Sequence, residues 1–451
     1  MSALRQYIDL YLEHHELIDA NSAEALNALR PLACAELEGM KLPARGSENF
    51  ENIDLEAILA PDYGLNIQRV PIDVNTDATF RCDVPVTSRE VFLNVNDTFV
   101  DPRHAAASLP EGVTVCSLRE YASAHPDEAA RYYGRLADIK NPIVALDTLL
   151  VQEGMVLRVE RGVRLDQPLQ LVNILAGNLP LMAVRRLLVI IGEDAEAKLL
   201  VCDHTQRDDV SLCALETVEI FVADHARFDY YNLEESTEST SRLSALYLEQ
   251  GEGSEVTVDG ITLFNGRTRN EYWCRFRGEH SRLRLYGMGI EDRHRELSTY
   301  TMIDHRVARC KSDELFKFSA DQQATAGFTG RIHVAPGSVQ TEAFQANRNL
   351  VSGNEAKIYS KPQLEIYNDD VKCSHGCAIG QLDAMQLFYM RTRGLPEATA
   401  KLLLRQAFMS DVIDAVEVKS LRDRLHLLVE RRFAGADSAC ASCAKCKTDD
   451  D

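Results

Sequence analysis

The stretch Ser254-Glu255-Val256-Thr257-Val258-Asp259-Gly260-Ile261-Thr262-Leu263-Phe264 opens on a small residue and then alternates polar and apolar positions, the period-two pattern of a strand. The same opening recurs at Ala195, Ala226, Ser281, Ala308 and Ser338, so that with Ser254 the successive gaps are 31, 28, 27, 27 and 30 residues. Further β-rich runs at 187–191, 218–222, 230–233, 283–290 and 357–367 are broken by Gly, Asp, Asn and Glu. A unit of this length is too small to bury its own apolar face, whereas stacked units share one continuous core. The predicted fold is therefore mainly β, a right-handed parallel β-helix (solenoid) over 151–382. An antiparallel sandwich with evenly spaced turns is the competing reading.

The flanks have a different texture. Helical periodicity at 3–17, 22–37 and 117–136, with a Gly-, Pro- and Asn-rich loop at 41–64, predicts a mixed, largely helical region over 1–150. After Asp383, Leu387, Phe388 and Met390 share a helical face, and Gly394 followed by Pro396 marks a stop and a restart. Leu402, Leu403, Ala407, Phe408, Val412, Ile413 and Val416 form an apolar stripe, and Ser420 with Asp423 signals the start of another helix. This helical domain, 383–433, suits either packing within the chain or docking of a second protein. Residues 434–451 carry no apolar pattern and are expected to be a disordered tail.

The composition removes several function classes. A formal charge of −20 over 451 residues, with no dense Lys/Arg run, argues against nucleic acid as a partner. The amino terminus lacks a signal-peptide pattern, and the longest uncharged run, 167–184, holds Gln170, Asn173, Asn178 and Pro180, so a cytoplasmic chain without a membrane span is expected. Nine of the twelve cysteines are scattered between Cys34 and Cys377 and read as reduced thiols. Phosphate-binding loops, dinucleotide fingerprints, nucleophile elbows and His-Glu-x-x-His helices are missing from the sequence. The chain is read as a non-enzyme.

One segment carries chemistry. Asp369-Asp370-Val371-Lys372-Cys373-Ser374-His375-Gly376-Cys377 places two thiols and an imidazole at alternate positions, on one face if the segment is extended. Such side chains suit a metal, sulfur or redox site, while buried thiols and a satisfied histidine are the alternative. Asp369 and Asp370 are expected to solvate a turn and to raise the pKa of Cys373. The tail adds Cys440, Cys443 and Cys446, spaced to bind zinc, copper(I) or a cluster, or metal only adventitiously.

The string from Lys361 through Gly376 (KPQLEIYNDDVKCSHG) closely resembles the hallmark of the SufD branch of the SufB/SufD family. The segments 312–317, 328–332, 341–350, 379–383 and 387–394 are similar to the same branch. The resemblance implies a non-catalytic β-helix scaffold in a complex with SufB and the ATPase SufC, which assembles iron–sulfur clusters. It implies that Cys373 and His375 lie at the SufB interface as ligands of iron or a nascent cluster, bound transiently and not as a tight cofactor. It also implies that the helices from Asp383 to about Phe433, with Arg391, Arg393, Gly394, Leu395 and Pro396 in the turn between the first two, dock SufC. Cys377 stands where the family commonly has a small residue without a thiol, so it is an additional ligand or one of a disulfide-prone pair. A homodimer in isolation is also expected, from an uncovered solenoid edge. Two other classes compete: a β-helix enzyme acting on acyl groups or polysaccharides, and a stand-alone β-helix metal-binding protein using Cys373, His375, Cys377 and the tail.

Overall fold

The computed structural model describes residues 2–71, 90–101 and 103–435; Cys440, Cys443 and Cys446 lie outside them. Strands β4 (Gly154–Val159) through β19 (Val371–Gly380) alternate between two sheets, each paired in parallel with the strand two places on, which makes a β-solenoid of about eight turns. The sandwich reading fails on this parallel pairing. At the first end β1 (Val91–Val95) and β2 (Thr98–Val100) form an antiparallel pair that extends one sheet, and β3 (Val113–Ser117) adds antiparallel to β4 in the other. No helix among the described residues is long and apolar enough to cross a membrane.

The repeat read from the sequence is a physical column for four of its six positions. Glu196, Arg227, Glu255 and Arg282 are register partners, so Ala195, Ala226, Ser254 and Ser281, just before them, stack. The column then runs through Cys310 and Thr341, displacing Ala308 and Ser338. The position favours a side chain that bonds back into its own turn: Ser254, Ser281 and Thr341 donate to the carbonyls three residues earlier at 2.8, 3.0 and 2.8 Å. Ala308 and Ser338 are also small and buried, but they sit within the turn, where the Ser338 hydroxyl donates to the His305 carbonyl at 2.9 Å.

Three apolar layers hold the molecule. Leu157, Val189, Val218, Phe228, Leu246 and Phe316 fill the space between the sheets. Outside the even-numbered sheet, Tyr7, Leu26, Leu55 and Leu146 of the amino-terminal region cover Leu188, Leu215 and Leu243. Outside the odd-numbered sheet, Met409, Val412, Ile413, Leu421 and Leu425 cover Leu233, Ile261, Leu263 and Met288. Parallel strands buried on both faces explain the near-continuous apolar runs of the middle turns.

The interior is not apolar throughout. Asp203 accepts from Asn173 and Asn232, both at 2.9 Å, and lies 3.3 Å from Arg185 and from Arg242. Arg242 also reaches Glu216 at 3.1 Å and Asn270 at 2.6 Å. Burial pushes the Asp203 carboxyl up, but the two guanidiniums more than offset this and hold it below the ordinary carboxylate range.

Helix boundaries depart from the periodicity where proline intervenes. The 22–37 pattern divides into Glu24–Asn27 and Arg30–Gly39, and 117–136 divides at Pro126 into Leu118–Ala124 and Pro126–Tyr132. At the other end Asp383 caps the helix Ala384–Thr392 by accepting from Met385 N at 2.7 Å. Gly394, at φ +91°, ends it with its N–H on Arg391 O and that of Leu395 on Met390 O, a Schellman motif. Pro396 then leads into Glu397–Ile413. The last helix, Lys419–Phe433, starts before the expected Ser420/Asp423 cap, with Val418 at its N-cap and Ser420 already inside it, and Asp423 pairs with Lys419 at 2.6 Å. The buried face of Glu397–Ile413 uses Met409 beside Val412 and Ile413, whereas Leu403 and Ala407 point outward. Arg432, almost fully buried, fastens this domain to the solenoid through Leu263 O at 2.7 Å, Ile290 O at 3.0 Å and Asp292 at 2.5 Å.

Candidate functional site

The last turn is the part of the solenoid that is least covered. Strand β19 pairs with β17 (Thr341–Val351) and β18 (Lys357–Ile366) with β16 (Thr325–Val334); among the described residues the far edges of β18 and β19 have no strand partner. β18 and β19 contain no fully buried residue, in contrast to every strand from β4 to β17. Of the fifteen exposed large apolar side chains among the described residues, eight fall between Phe344 and Tyr389, a concentration at the end of the solenoid and on the helix that follows it.

Cys373, His375 and Cys377 lie on β19, as the alternating pattern predicted. Val371 and Cys373 pack against the interior core, so by strand alternation His375 and Cys377 also belong to the inner face, at its open mouth. Their register partners on β17 are Ala343, Gln345 and Asn347. The mouth is polar: Ser360 donates to Asn347 Oδ1 at 2.7 Å, and Gln345 donates to Glu314 Oε2 at 2.7 Å while its own oxygen has no partner. Deeper in, burial raises the Glu314 carboxyl to about 7.

Cys373 is half-buried, whereas His375 and Cys377 are exposed. The Cys373 thiol is pushed up by burial, and the Ala343 backbone N–H partly counters this. That corrects the sequence expectation, which assigned the rise to Asp369 and Asp370. These two occupy an exposed bend before β19, where Asp370 O accepts from Gln340 N at 2.6 Å. Alternate residues on a strand stand roughly 7 Å apart, and among the described residues no three His, Cys, Asp or Glu side chains converge into a metal cage. The strand offers ligands one at a time. All eight cysteines of the described residues are free thiols, Cys373 and Cys377 included.

The second predicted surface follows at once along the chain. The helix Ala384–Thr392 has no buried residue, and Met385, Phe388 and Tyr389 are 72%, 62% and 58% exposed. Arg393 lies over the Tyr389 ring at 5.1 Å and donates to its hydroxyl at 3.0 Å, while Arg391 pairs with Glu397 at 3.4 Å. Leu395 is half-buried, and Gly394 and Pro396 are exposed. Sequence reasoning missed the exposed apolar side chains Phe344, Tyr359, Ile366 and Tyr367, which adjoin the thiol strand on the last turns. Their signal was three aromatic residues, Phe344, Tyr359 and Tyr367, in or just after the last strands before the helices.

Comparison with known proteins gives consistent matches. A family model described as the SufBD core domain of SUF system FeS cluster assembly matches residues 174–408, and one for the SufBD protein N-terminal region matches residues 1–171. An iron–sulfur cluster assembly SufBD family protein of Synechocystis is 26% identical over 93% of this chain and 94% of its own length. The iron–sulfur cluster assembly protein SufD of Escherichia coli is 27% identical over 87% of this chain and 90% of its own, and SufD of Bacillus subtilis is 21% identical over 96% and 98%.

Proposed function

Because this chain belongs to the SufBD family of SUF-system iron–sulfur cluster assembly proteins, we propose that it is a non-catalytic scaffold that pairs with a SufB-like protein through the last turn of its solenoid. The observation that carries this reading is the bare edge of β19 with Cys373, His375 and Cys377 beside it. Iron or a nascent cluster is the cargo. Cys373 supplies a thiolate and His375 an imidazole, and the partner completes the coordination that one strand cannot. Cys377, exposed on the same strand face, is an additional ligand. In isolation the same edge pairs two copies of the chain. The place of action is the cytoplasm.

Cys373→Ala combined with His375→Ala should abolish cluster assembly in vivo while the purified chain still brings down its SufB-like partner. Normal cluster assembly by the double variant would remove these residues from the role. Loss of partner binding as well would make them interface packing only.

The helix Ala384–Thr392 and its turn form the proposed docking surface for a SufC-like ATPase. Its exposed apolar side chains supply area, and Arg391 and Arg393 supply orientation. Arg391→Glu with Arg393→Glu should weaken that association by about tenfold or more, with no change in thermal midpoint, because both side chains are exposed. Unchanged association in a pull-down and in calorimetry would place the contact elsewhere.

A further inference from the structure

A half-open cleft of about 460 Å³ lies on the outer face of the even-numbered sheet, walled on its other side by Leu136 and Pro142 of the amino-terminal region. Its floor is a column of rings. Tyr247 and Trp273 are register partners whose centroids lie 5.9 Å apart with planes within 4°, and Tyr300 meets Trp273 at 4.9 Å. Glu271, 3% exposed, fixes the indole by accepting from its Nε1 at 3.2 Å, and is itself held by Arg269 at 3.0 Å and Asn141 at 2.5 Å. The register partner of Trp273 on the next strand is Met302, also half-buried, so the column ends on a polarisable, partly open slot. Such a slot takes a flat ring by stacking and sulfur–aromatic contact.

The mouth adds charge. Arg275 and Arg306 are exposed and share one carboxylate, Asp304, at 3.7 and 2.6 Å, and Asp304 also meets His333 Nδ1 at 2.9 Å. Two guanidiniums facing a single shared carboxylate leave anion-binding capacity in a chain of net charge −20. We propose that this cleft binds a planar heteroaromatic ring bearing an anionic group, of mononucleotide size: the ring extends the Tyr247–Trp273 column over Met302, and Arg275 and Arg306 hold the anion. The volume lies within the usual range for small-molecule sites. The site is separate from the thiol strand and does not depend on its role.

Trp273 is the only tryptophan of the chain, so its emission reports the cleft directly. Titrating the full chain with adenosine 5′-monophosphate should quench that emission saturably. Adenosine should bind more weakly, and inorganic phosphate alone should leave the emission unchanged. Arg275→Ala with Arg306→Ala should weaken binding of the monophosphate about tenfold and leave that of adenosine unaltered. The proposal is overturned if the monophosphate gives no saturable change up to about 10 mM, a concentration above any specific affinity of interest, or if the double variant responds as the parent does.

Discussion

Arg186→Met should lower the unfolding free energy by about 3–5 kcal/mol, as expected when one partner is taken from a buried ionic group. The Arg186 guanidinium is fully buried and donates to Asp147 at 2.7 Å and to Glu219 at 2.8 Å. It also lies 4.7 Å from the centre of the Tyr133 ring. Asp147 sits on the amino-terminal helix Pro142–Leu150 and Glu219 on the strand Leu212–Val222, so one side chain ties the helical region to the solenoid. Glu219 keeps the N–H groups of Gly134, Leu136 and Ala137 at 2.8, 2.9 and 3.1 Å after the substitution. Asp147 has no comparable support. Burial already raises its carboxyl to about 7 against the pull of Arg186, and without the guanidinium it must protonate or unfold its surroundings. Adding Asp147→Leu should recover part of the loss, because the stranded carboxylate is then gone. Urea midpoints of the three proteins check both statements; a loss below about 1 kcal/mol in the single variant would mean that water reaches the site.

The second large effect is a pH dependence seated at Asp259. This residue faces the carboxy-terminal helices between its register partners Tyr231 and Tyr286, and neither of its oxygens has a hydrogen-bond partner. Lys198, Arg227 and Arg284 gather around Glu417 instead. Burial alone raises the Asp259 carboxyl from 3.8 to about 8. A carboxyl raised by folding contributes stability below its unfolded value, near 4, and that contribution is lost as pH rises through about 8. Stability should therefore fall between pH 5 and pH 8 by on the order of 1 kcal/mol per pH unit from this group. Glu291, raised to about 8, and Glu234 and Glu314, raised to about 7, act in the same direction, so the parent curve alone does not isolate Asp259. The difference between the parent and Asp259→Asn does. The variant should match the parent near pH 5 and exceed it by several kcal/mol at pH 9, and parallel curves would mean that Asp259 is solvated or paired.

The solenoid was legible because alternation and a repeat near thirty residues are local properties. Val256, Val258 and Thr262 could be assigned to one face without knowledge of any neighbour. The column failed at Ala308 and Ser338 because several small residues fit a tight turn, and register is decided by strand pairing across turns. The buried ions could not be read in this way. Asp203, Glu216 and Arg242 look like surface charges until parity turns them inward and their partners arrive from strands roughly thirty residues away. The candidate site was half legible. Types and spacing identified Cys373, His375 and Cys377, but a central and an edge strand share the same local pattern, so the exposure of β19 emerges only from the sheet order. The Trp273 cleft was hidden for a related reason, since one of its walls comes from residues more than a hundred positions earlier.

The two ends of the solenoid are unlike, and on the proposed pairing this bears on the valency of the molecule. The first turns are extended by the short antiparallel strands β2 and β3, with Ala105 packed against the interior core beside them, whereas among the described residues the last turn has no such addition. A body with one adhesive end saturates when it meets another, whereas two such ends would propagate a filament. If the proposed pairing through the last turn holds, assembly along the solenoid axis stops at two chains, and further subunits attach from the side.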